Sequence, residues 1–145
     1  MAGSYGVSFA ARAIAAGNHT EAIAAATTAI LRDDSDPEAH FERATALVAL
    51  DRHNEATSDF ERALQLDVEA GILETDAVDD AFFSSLLAAA RRATSVSDGV
   101  SMLERYATVL PTGRHLTDAV DWARRLRGEL KSEFVKHPDL LEEQE

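Results

Sequence analysis

The chain has 145 residues, a formal net charge of −12, 46% hydrophobic residues and no cysteine. That length suits one ordinary domain, and the missing thiols exclude disulfides, thiolate metal sites and a cysteine nucleophile. So acidic a chain disfavours non-specific binding to nucleic acid, and no nucleic-acid partner is expected.

Alanine supplies much of the hydrophobic content and favours close-packed helices; no alternating apolar–polar run supports a strand, so an all-α fold is expected. From the N-terminus, Ser4 to Ala16 reads as a first helix stopped by Gly17-Asn18. His19-Thr20-Glu21 opens a second helix that runs to Arg32, with Thr20 as its N-cap. Asp36 caps the third, with Pro37 in its first turn, where a missing N–H costs nothing. The stretch Pro37 to Asp67 reads as two amphipathic helices joined by Asp51-Arg52-His53-Asn54. Phe41, Ala44, Leu47, Val48 and Leu50 stripe one; Ala56, Phe60, Ala63, Leu64 and Leu66 stripe the other.

Residues 68–80 form an irregular linker, whose Ile72 and Leu73 either fold back to plug an edge of the stack or shape a binding surface. Thr75 or Asp76 caps a fifth helix reaching about Thr94, and Asp98 a sixth reaching about Leu110. After Pro111-Thr112-Gly113, a last helix over 114–134 sets Leu116, Ala119, Val120, Ala123, Leu126, Leu130 and Phe134 on one face and charge on the other. Trp122 sits at the edge of that stripe, as a packing residue or a ligand anchor. Residues 137–145 make an acidic tail. The N-terminal stretch lacks the basic lead-in and apolar core of a signal peptide, and no apolar run approaches the ~20 residues of a membrane span. Cytoplasmic location is the expectation, and the excess of arginine over lysine hints at a GC-rich bacterial genome.

A helix pair as short as 37–67 buries too little apolar surface to offset chain entropy, so it needs copies to stack on. One copy lies 34 residues upstream: Ala44 maps to Ala10, Leu47 to Ala13, Leu50 to Ala16, Glu55 to Glu21, Ala56 to Ala22, Phe60 to Ala26, Ala63 to Ala29 and Leu64 to Ile30. A third copy is displaced by 43, placing Leu47 on Ala90, Leu50 on Ala93, Ala56 on Gly99, Phe60 on Leu103 and Leu64 on Ala107, with nine extra residues in the 68–80 linker. With its 34-residue period, small residues at the close-approach sites and the Glu55-Ala56, Phe60 and Ala63 pattern, the chain resembles the tetratricopeptide repeat family. Ala26 departs from the family, which prefers an aromatic there, and Leu87 departs at the small site of the third copy. The resemblance implies an α-α superhelix of about three helical hairpins (3–36, 37–70 and 80–113) plus a capping helix, in a single domain over 1–136.

Nothing points to catalysis. The histidines at 19, 40, 53, 115 and 137 are scattered, His115 and Asp118 lack a third metal ligand, and no phosphate loop, GxSxG or HExxH occurs. His40 is expected to pack against a neighbouring helix. The expectation is therefore no enzyme, no cofactor and no metal. The resemblance implies instead a concave groove, lined by the first helix of each repeat, that holds a peptide or protein. Carried across, its residues are Val7, Ser8, Ala11 and Ile14; Glu38, Phe41, Glu42, Thr45 and Val48; and Ser84, Ser85, Ala88, Arg91 and Arg92. The cationic clamp by which some members hold an acidic chaperone tail is absent, since its sites carry Val7, Ala11, Glu42, Ala81 and Ser85. Residues 1–80 carry a net −11 and residues 81–136 a net +3, read either as solvated helix faces with last-turn arginines complementing helix dipoles, or as an acidic and a basic end that steer a partner or let copies associate head to tail. The leading expectation is a non-catalytic adaptor; the alternatives are a homodimer or self-assembling scaffold, and a small acidic bacterial secretion chaperone.

Overall fold

The computed structural model describes residues 8–129. Over these the chain is all-α, with seven helices and no strand. They are α1 (Phe9–Ala15), α2 (His19–Arg32), α3 (Pro37–Ala49), α4 (His53–Ala70), α5 (Thr75–Arg91), α6 (Val96–Val109) and α7 (Leu116–Leu126). The chain divides into two compact units that part between Ser85 and Leu86, inside α5.

In the first unit α1 packs on α2 and α3, α2 on α3, and α3 on α4. The 34-residue spacing is a backbone fact: α2 and α4 start at His19 and His53. Ahead of each start the chain passes through a left-handed residue, Gly17 at φ 82° and Asp51 at φ 64°. Each is the turning point of a Schellman motif, in which Asn18 N donates to Ala13 O at 2.8 Å and Arg52 N to Leu47 O at 2.9 Å. The side chains follow the same rule. Ala10 and Ala44, Ala22 and Ala56, and Ala26 and Phe60 are all 3% exposed or less. A buried polar network is added in the second hairpin. Asp59 takes a two-pronged bond from Arg43 (Nε 2.7 Å, Nη2 2.8 Å), and Arg43 Nη1 also donates to Thr27 on α2 at 3.2 Å. His40 is buried as expected, but through polar partners: Nε2 lies 3.1 Å from the Asp34 carbonyl and Nδ1 3.4 Å from Asp59.

Helix starts differ from the sequence reading wherever a cap was assigned too far inside. An N-cap must still be extended, one position before the first turn. Ser8 fills that position for α1, its Oγ accepting from Ala11 N at 3.0 Å, so this helix starts at Phe9 rather than Ser4. Asn18, not Thr20, precedes α2. Glu74, not Thr75 or Asp76, reaches into the first turn of α5, accepting from Asp76 N at 3.2 Å. Ser95 caps α6 and accepts from Asp98 N at 3.1 Å, so Asp98 is the capped residue and not the cap. Asp36 caps α3 as read, accepting from Glu38 N at 3.0 Å.

The nine inserted residues are not a long loop. Helix α4 has 18 residues against 14 in α2, and α5 starts five residues before the position that the displaced register assigns to it. Together these extensions absorb the insertion and leave a connection of 71–74, as short as 33–36. Gly71 at φ 61° ends α4, and Asp67 Oδ1 accepts from Ile72 N (2.8 Å) and Leu73 N (3.1 Å) to set the turn. Ile72 is 60% exposed and plugs nothing; Leu73 is half-buried.

The second unit is built on α6 and α7 with the end of α5. Tyr106 is fully buried, and its Oη accepts from His115 N at 2.9 Å. Gly99, at the small site of the displaced copy, lies so close to its neighbours that a β-carbon would fall 2.9 Å from Ala90 O and 3.1 Å from Leu126 Cδ1. The last helix stops at Leu126 rather than 134, because Gly128 turns left-handed (φ 83°) and Glu129 N donates back to Arg124 O at 2.8 Å. Val120, read as part of the apolar stripe, is exposed. Leu130, Phe134 and the tail 137–145 lie outside the described residues.

Candidate functional site

Of the residues carried over as a groove, Val7 lies outside the described residues. The others divide between the units: Ser8, Ala11, Ile14, Glu38, Phe41, Glu42, Thr45, Val48, Ser84 and Ser85 belong to the first, Ala88, Arg91 and Arg92 to the second.

In the first unit the pairing of α1 with α3 sets equivalent positions of the two hairpins side by side. The clearest case is Ser8 with Glu42, 34 residues apart, where Ser8 Oγ donates to Glu42 Oε2 at 2.7 Å. Glu42 is only 9% exposed, and burial raises its pKa above the ordinary carboxylate value. The bond from Ser8 pulls the other way, and the nearby charges of Glu38 and Asp36 add to the rise. Around this pair the face is half-buried rather than open. Ile14 packs beside the Ala13–Ala22–Ala46 cluster, and the Phe41 ring lies 5.9 Å from that of Phe60. Ala11, Thr45 and Val48 keep part of their surface accessible, Glu38 and Ser84 are exposed, and Ser85 is buried with its Oγ unpaired. Such a face offers small apolar contacts and a buried carboxylate. Among the described residues no three His, Cys, Asp or Glu side chains gather as metal ligands.

A second concavity was not anticipated. A trough of about 580 Å³ opens along α1 and α2, lined by Phe9, Ala24, Ala25, Ala26, Thr28, Ala29 and Arg32, with Ser8, Glu21 and Glu42 also in its wall. Phe9 is 64% exposed beside it.

In the second unit Arg91 and Arg125 converge on Trp122, their guanidinium carbons 5.6 and 4.8 Å from the ring centroid. Arg91 was assigned to the groove through the resemblance; Trp122 and Arg125 were not. Arg92 is exposed and Ala88 half-buried. No protein-family model and no curated protein matches this sequence.

Proposed function

We propose that this chain is a non-catalytic protein-interaction module of the tetratricopeptide type, working in the cytoplasm and holding a peptide or protein segment against the α1–α3 face. The observation that carries this is the hairpin repeated at 34 residues, turn for turn and small residue for small residue, which sets the first helices of successive repeats beside each other. The face so formed offers small apolar contacts beside a buried carboxylate, spread along two helices, which suits an extended or helical segment better than a small molecule. No described helix is long and apolar enough to cross a membrane.

Val48→Glu tests the reading, because Val48 is half-buried and sits away from the Phe41–Phe60 contact. Proteins captured from the native host by the wild type and identified by mass spectrometry are expected to be lost from the variant, with the helical circular-dichroism signal unchanged. Equal capture by both proteins would remove this face from consideration. A second reading, self-assembly, is favoured by the trough beside exposed Phe9, since small residues let a helix of another copy approach closely. Light scattering across protein concentration separates the two readings: a monomer throughout argues against assembly.

A further inference from the structure

We propose that Arg91, Trp122 and Arg125 in the second unit form a docking site for a run of carboxylates on a partner polypeptide. The site goes beyond the α1–α3 face and uses none of its residues. Trp122 and Arg125 are three apart on α7 and so share one side of it, while Arg91 is the last residue of α5. Both guanidiniums lie within cation–π distance of the one indole.

What sets this pair apart is its convergence on one ring without a counter-charge. Several other arginines meet acids: Arg43 meets Asp59, Arg52 meets Glu55, Arg124 meets Glu129 and Arg127 meets Glu104. Among the described residues neither Arg91 nor Arg125 has a carboxylate partner, and Arg125 Nε is buried with no acceptor. Two like charges are thus gathered on one ring, and an anion laid across their accessible ends relieves that cost. The guanidinium fork matches a planar carboxylate with two parallel bonds. Trp122 is half-buried, so its accessible side contacts the methylene stem of a glutamate, which inorganic phosphate lacks. A flexible acidic segment therefore fits better than a free ion.

Trp122 is the sole tryptophan, so its fluorescence reports on this site alone. The intact protein is titrated with a capped hexaglutamate peptide at low salt. The expected result is a saturable change in emission that hexalysine does not produce and that weakens at least tenfold in 0.5 M salt, by screening of charge (~3 Å at 1 M). The Arg91→Gln/Arg125→Gln double variant is expected to lose at least tenfold in affinity, while Val48→Glu binds as the wild type does, which keeps this outcome separate from that of the α1–α3 face. If the double variant loses helicity, the exposed Arg91→Gln alone decides, with a several-fold loss expected. The proposal is overturned by no response to hexaglutamate, an equal response in the arginine variants, or the same response to inorganic phosphate at equal concentration. It is overturned too by binding seen only after Asp139, Glu142, Glu143 and Glu145 are neutralised, which would make the chain's own acidic residues the occupant.

Discussion

The two hairpins of the first unit share a backbone and differ in what fills it. Both turn through a left-handed residue, both start their second helix 34 residues apart, and both bury a small residue where helices approach. The second hairpin fills its interior with Phe60, Leu47 and Leu64 and ties α3 to α4 and α2 through Asp59, Arg43 and Thr27. The first has Ala26, Ala13 and Ile30 at the matching positions and is left with a trough. Repeating a turn and a close-approach residue is thus enough to copy a backbone path. Volume and polar ties are set separately, hairpin by hairpin.

The sharpest way to break the pairing is to truncate the residue that distinguishes it. Phe60→Ala is expected to cost about 3–5 kcal/mol, the range for a fully buried phenylalanine. Ala26→Gly, at the matching position, should cost only about 1 kcal/mol, most of it helix propensity. Urea unfolding followed by circular dichroism measures both, and equal losses would mean that the first hairpin is as tightly filled as the second. The turns give a smaller contrast. Gly17→Ala puts a β-carbon in a left-handed residue and is expected to cost about 1–2 kcal/mol, although nothing lies within 4 Å of the new atom. Asp51 already bears that strain at φ 64°, and its carboxylate lies 3.0 Å from His53 Nε2. Asp51→Gly relieves the strain and loses that contact, so a net change within about 0.5 kcal/mol is expected.

How much of this was legible in the sequence follows from which features are local. The helical class, the 34-residue copy and the turns at Gly17 and Asp51 rest on spacing and turn chemistry, and the sequence carries both. The trough was not legible, because its accessible residues, Phe9 of α1 and Ala24 and Thr28 of α2 among them, form no single pattern along the sequence. Caps were misassigned where several polar residues stood in a row, because Ser95 and Asp98 have similar capping chemistry and only the backbone tells which one is still extended. The 68–80 stretch was misread as a loop, since helix extension keeps the same apolar spacing that marks the helices themselves. Asp59 with Arg43, and Arg91 on Trp122, were invisible, because each joins residues on different helices and no periodicity encodes such a meeting; Arg125 lies on Trp122 at the three-residue spacing of one helix.

The finest difference between the hairpins lies in Ser8 and Glu42, equivalent positions that hold a cap in one and a buried acid in the other. Burial raises the Glu42 pKa in the fold, so the folded chain holds a proton there over a range in which the unfolded chain has released it. Below the ordinary carboxylate value of 4.5 both states are protonated, and Glu42 costs nothing. As pH rises from there through the raised folded value, stability falls, and at neutral pH the whole cost is present. Glu42→Gln keeps an acceptor for Ser8 Oγ and removes the charge. It is therefore expected to be more stable than the wild type at pH 7, by up to about 1 kcal/mol, with the advantage vanishing as pH drops below about 4.5. Urea unfolding at several pH values measures this, and a gain that persisted at low pH would show that packing, not charge, is the cause. A destabilising acid on the face proposed to hold a partner also has a reason to be there if the partner supplies the missing donor. On that account the same variant should be firmer as a fold and poorer at capture, a combination that a purely structural glutamate would not produce.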